Sequence, residues 1–136
     1  MAATGKHASA PTLEEIEAIA SEAFATIPLA LAQHVANVAI HVVDFPDDET
    51  MEALELESPF DLLGLYQGIS LDQKSVADSL TDIDRIYLYR RPLLDYWCET
   101  GEDLHRLVRH VLIHEIGHHF GFSDDDMEAI EARASG

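Results

Sequence analysis

The chain of 136 residues carries 26 Asp and Glu against 8 Lys and Arg, a formal charge of −18 at pH 7. That excess opposes binding to nucleic acid, whose phosphates need a basic surface, and the length suits one domain with a real core rather than two. No apolar run is long enough for a membrane helix, and the single cysteine excludes an internal disulfide, so the expected location is the cytoplasm.

Residues 1–10 are small and polar and lack the apolar segment of a secretory signal. They are expected to form a flexible tail ahead of a single domain over 11–136. Thr12 and Glu15 make a capping box just after Pro11. Leu13, Ile16, Ile19, Ala20, Ala23, Phe24 and Ile27 then recur at helical spacing, which predicts an amphipathic helix over 13–27 ended by Pro28. Residues 29–33 could add one further turn.

The β-branched run over 38–45 predicts a strand, and His41 within it is assigned no role. Eight acidic residues occupy 44–61 without a Lys or Arg. Pro46 followed by Asp47, Asp48 and Glu49 predicts a short exposed helix over about 48–57, because carboxylates favour helix N-termini. Gly64 and Gly68 interrupt the apolar stretch 62–71, as in short strands with a tight turn or bulge. Residues 73–80 read as a loop or helical turn. A second strand centres on Ile86, Tyr87, Leu88 and Tyr89 within 84–94 and stops near Pro92. Cys98, beside Trp97, reads as a small core residue. Arg85, Arg90, Arg91, Arg106 and Arg109 fall in the later half, where they can neutralise neighbouring carboxylates.

The chemistry concentrates over 104–124. A helix from about 103 to 120 contains His114-Glu115-Ile116-Gly117-His118, the H-E-x-x-H pattern of zinc hydrolases. Histidines four residues apart project from one helical face, so both imidazoles can reach a single metal ion. Glu115 is placed to take a proton from a water on that ion. Gly121 suits a left-handed turn that reverses the chain and brings Asp124 round as a third ligand. Asp125 and Asp126 compete for that place, but the spacing after Gly121 favours Asp124. With Gly and Asp included, the pattern would arise by chance in such a composition with a probability of about 0.0002. His110 also lies four residues before His114, yet three histidines at this spacing span about 12 Å of helix, too far for one zinc with bonds near 2 Å. His110 is therefore left outside the ligand set, as is His119. A last helix over 124–134, capped by Ser123 with Asp126, would cover the metal helix with Met127 and Ile130.

At these residues the sequence resembles the small bacterial zincin-like metallopeptidases that carry HExxHxxGxxD, also called minimal metalloproteases. Residues 62–68 (LLGLYQG) and 84–93 (DRIYLYRRPL) are similar to that family too, so the resemblance runs from about Val38 to Met127. It implies one zinc held by His114, His118 and Asp124, and a peptide or protein substrate. The expected architecture is α+β. One zincin-like domain would pack a small mixed sheet against the H-E-x-x-H helix, with an N-terminal helix and a short C-terminal helix. An edge strand beside the metal would be available to an extended peptide. Zinc would lower the pKa of a bound water, Glu115 would act as general base, and Tyr66, Tyr87, Tyr89 and His105 are candidates to stabilise the oxyanion.

Two other readings use the same residues. A metal-dependent endoribonuclease family has three histidines at the offsets of His114, His118 and Asp124. It carries glycine at the place of Glu115 and histidine at that of Asp124, and the negative charge also weighs against it. A zinc-binding regulatory module with little turnover would have no need of Glu115.

Overall fold

The computed structural model describes residues 10–35, 38–68 and 84–135. The first helix, α1 (Leu13–Ala25), starts at the expected capping box: Thr12 Oγ1 accepts the Glu15 N–H at 3.1 Å, and Glu15 Oε1 accepts the Thr12 N–H at 2.8 Å. It stops two residues short of the predicted end. Ile27 precedes Pro28, and the proline ring disfavours helical dihedrals in the residue before it. One turn, α2 (Leu29–Ala32), follows.

Strand β1 (Val38–Val43) forms as expected. The next helix, α3 (Asp48–Ala53), is capped by the Asp47 carboxylate, which accepts the Thr50 N–H at 2.8 Å. That bond holds Asp47 below the usual carboxylate range. α3 is shorter than the predicted 48–57. Glu55 adopts φ 53°, and the Leu56 N–H returns to the Met51 carbonyl at 2.9 Å, which closes the helix in a left-handed cap.

After a 3-10 turn at Pro59–Asp61 comes β2 (Gly64–Gln67), a single short strand within the predicted 62–71 region. The loop or turn expected over 73–80 lies outside the described residues. Strand β3 (Asp84–Tyr89) runs straight into α4 (Arg90–Thr100), whereas the sequence predicted strand until Pro92. Pro92 sits in the first helical turn, where its missing N–H has no intrahelical partner to lose, so it starts a helix as readily as it ends a strand. Cys98 on α4 is exposed, which corrects its expected place in the core. Arg90 ties this junction to two distant segments, donating from Nε to the Pro11 carbonyl at 2.7 Å and from Nη1 to Asp44 at 3.1 Å.

The long helix α5 (Leu104–His119) and α6 (Asp124–Ser135) complete the chain. Among the described residues the sheet has the order β1-β3-β2, with β1 parallel and β2 antiparallel to the central β3. The fold is thus α+β with a small mixed sheet, as expected. α1 packs against β1, and α5 packs against both α1 and β2. The core between them holds Ile16 and Ala20 of α1, Ile86 and Leu88 of β3, and Val108, Leu112 and Ile116 of α5, all with no exposed area. No helix among the described residues is long and apolar enough to cross a membrane.

Gly64 sets how closely α5 approaches the sheet. A Cβ at that position would meet Val111 Cγ1 at 2.8 Å and the Tyr87 carbonyl at 3.1 Å. Valine is stiff at χ1 and the carbonyl belongs to a paired strand, so neither yields readily. Overpacking costs about 1–3 kcal/mol, against roughly 0.4–1 kcal/mol regained from a stiffer unfolded chain. Gly64→Ala is expected to destabilise the protein by a net of about 1–2 kcal/mol in urea unfolding. An equal or higher midpoint would remove this contact as a constraint.

Candidate metal centre

The C-terminal end of α5 is shaped by its cap. Gly121 takes φ +84°, its N–H reaches the His118 carbonyl at 3.2 Å, and the Phe122 N–H reaches the Gly117 carbonyl at 2.9 Å. These two bonds are the Schellman pattern, and they reverse the chain. Ser123 then caps α6: its Oγ accepts the Asp126 N–H at 3.1 Å, while Asp126 Oδ2 accepts the Ser123 N–H at 3.2 Å. Both features follow the sequence reading. Asp126 is thereby engaged in the cap, and Asp124 at the first position of α6 faces back toward α5.

There Asp124 Oδ1 lies 3.2 Å from His118 Nε2. One candidate ligand atom from each of His114, His118 and Asp124 lies within 4.8 Å of the others. The side chains of His118 and Asp124 are 54% and 83% exposed and that of His114 is 24% exposed, so the group opens to solvent on one side. Gly117, between the histidines, leaves room for α6. A Cβ there would collide with the Met127 side chain, and Met127 is fully buried in that gap.

Glu115 points toward the sheet. It is partly buried, and it accepts the backbone N–H of Tyr66 on edge strand β2. Desolvation by burial raises its pKa above the ordinary value, while the His118 charge and the Tyr66 N–H act in the opposite sense. Among the described residues β2 is an edge strand of the sheet, and it runs beside this carboxylate.

The four oxyanion candidates separate. The Tyr66 hydroxyl donates to Asp84 at 2.7 Å, and its ring stacks on His119 with centroids 4.1 Å apart, so this phenol is already committed. His105 lies on another side of α5, around a cavity shared with Ile19, Glu22 and Thr26 of the α1 region. Tyr87 stacks on His41 and lines the outer face of the sheet. Tyr89 is close enough to Glu115 to sense its charge. Burial first, then the charges of Asp47, Tyr87 and Glu115, push the Tyr89 phenol up to about 12 against a hydrogen bond with Thr50, so it keeps its proton; it lines the same cavity as Tyr87.

The sequence reading missed Glu131. Its Oε1 lies 2.9 Å from His114 Nε2 and its Oε2 lies 3.0 Å from His110 Nδ1. The available signal was helical spacing: Glu131 stands four residues after Met127, on the face of α6 that was expected to cover α5.

Residues 35–134 match the family described as zincin-like metallopeptidase. The chain belongs to that family. No curated protein matches it. The zincin-like family implies a zinc cofactor, and the donors brought together here fit such an ion. Two imidazoles and one carboxylate are the usual types, and three protein donors leave a position for water. His119, stacked on Tyr66 and against Gly68, is turned away from this group, in line with its exclusion.

The Gly121 turn carries this geometry, which gives a direct test. Gly121→Ala forces a Cβ into the left-handed region, a cost of about 1–2 kcal/mol. The expected result is a lower urea midpoint, and an unchanged midpoint would show that the cap is not held in this form.

Proposed function

We propose that the chain is a zinc-dependent peptidase in which His114, His118 and Asp124 hold the metal and Glu115 is the general base. The observation that supports this best is the position of Glu115. It is partly buried, adjacent in sequence to His114, and held by the Tyr66 N–H of β2, an edge strand among the described residues. A carboxylate used only to balance charge would not need to be desolvated at a sheet edge.

When bound, zinc would acidify a water molecule and polarise the scissile carbonyl. Glu115 would serve as the base toward the attacking water and return the proton to the leaving amine. Burial raises its pKa, which strengthens it as a base. An extended peptide would lie along β2, where backbone groups supply pairing without demanding a particular sequence. The strongly acidic chain would attract cationic peptides and repel nucleic acid, which favours a peptide over an RNA substrate.

Glu115→Gln is expected to keep zinc and the native far-UV spectrum while lowering kcat/KM on a fluorogenic peptide by about 10²–10⁴-fold. Equal activity would remove Glu115 from the reaction. Asp124→Ala is expected to lose zinc by elemental analysis, whereas Asp125→Ala keeps it; full zinc in Asp124→Ala would reject that ligand.

A further inference from the structure

Glu131 and His110 stand outside the ligand set proposed above, yet they form a second group around the same histidine. The Glu131 carboxylate spans both rings, 2.9 Å from His114 Nε2 and 3.0 Å from His110 Nδ1. The candidate ligand atoms of His110, His114 and Glu131 again lie within 4.8 Å of one another. The two rings stand face to face, with centroids 4.0 Å apart and tilted by 35°. Glu131 is 23% exposed and His110 51%, so the group has one sheltered side and one open to water. A cavity of about 400 Å³ opens beside it, lined by Glu102, Glu128 and Glu131 with Arg106, Arg109 and His110.

We propose that His110, His114 and Glu131 form a second divalent-cation site, which competes with the His118–Asp124 side for His114. Two imidazoles and a carboxylate suit zinc, cobalt or another borderline divalent ion, the same class as the first group. The competition follows from the ligand itself. A neutral imidazole has one acceptor nitrogen, so His114 serves one ion at a time. Both arrangements hold a single ion, so excess metal does not drive one into the other. The ratio of their affinities fixes how the loaded protein divides between an ion beside Asp124 and one beside Glu131. Only the first stands next to the exposed face opened by His118 and Asp124. The competition rests on the ligand set proposed above; the second site does not.

Cobalt titration of the metal-free protein, followed by visible absorption and by bound stoichiometry, tests this. Wild type is expected to take one ion per chain, and two would overturn the competition. The double variant His118→Ala with Asp124→Ala retains only the second group and is expected to bind one cobalt. Adding His110→Ala should weaken that binding at least tenfold. The double variant His110→Ala with Glu131→Gln retains only the first group and is expected to bind one cobalt with a different spectrum.

No cobalt in the first double variant, with one in the second, overturns the second site and leaves the peptidase reading intact. The reverse pattern upholds the second site and removes the first. His118 and Asp124 are largely exposed, so their loss should not unfold the chain, and far-UV dichroism checks this. If that variant were unfolded, the isosteric Asp124→Asn with His118→Asn reads the same outcome.

Discussion

The close antiparallel packing of α6 on α5, set by the left-handed turn at Gly121, fixes every contact between the carboxylates and the histidines of the candidate sites. Gly117 removes the side chain that would hold the helices apart, and Met127 fills the space it leaves. With the helices running in opposite directions, moving up α6 means moving back along α5. Asp124 therefore meets His118, and Glu131, about 10 Å further along at 1.5 Å per residue, meets His114 and His110. One turn thus lays two carboxylates against three histidines. A shift of one helical turn would change which histidine each carboxylate meets.

The other side of α5 is governed by the sheet. Successive helical residues are about 100° apart, so Glu115 cannot share the direction of His114 and instead faces β2. Gly64 lets that strand come near enough for the Tyr66 N–H to reach the carboxylate. The helix thus turns metal-type donors toward α6 and a partly desolvated acid toward β2, an edge strand among the described residues. The division matters in so acidic a chain. A base in the exposed cluster would be one more solvated carboxylate, whereas burial raises the proton affinity of Glu115.

Features determined by neighbours in sequence were legible from it. The boxes at Thr12–Glu15 and Ser123–Asp126 and the turn at Gly121 each depend on residues within one helical turn, and each forms as expected. Where two local structures share a residue type, the outcome depended on the fold. Pro92 was compatible with a strand end or a helix start, and burial of Leu93 with Pro92 in the first turn of α4 decides for the helix. The left-handed Glu55 that shortens α3 has no glycine to announce it. Cys98 looked like core beside Trp97 because adjacency says nothing about which side of a helix faces outward. Glu131 is the most consequential omission. The distance limit that kept His110 from sharing an ion with both His114 and His118 is sound, but it left open a carboxylate from another helix, and only the tertiary pairing supplies one.

His114 consequently stands between two carboxylates, and the charges around it decide which side a cation prefers. On the Asp124 side the groups are mostly exposed, so a bound ion keeps much of its hydration and the cost of desolvation is small. On the Glu131 side the carboxylate is better sheltered, which strengthens its attraction for a cation, and Glu102 and Glu128 add to it. Arg106 and Arg109 line the same cavity and oppose it. The arginines that the sequence assigned to neutralising carboxylates thus acquire a more specific effect at this end of α5. By raising the cost of a cation beside His110, they bias the shared histidine toward Asp124, on the exposed side where a water ligand has room.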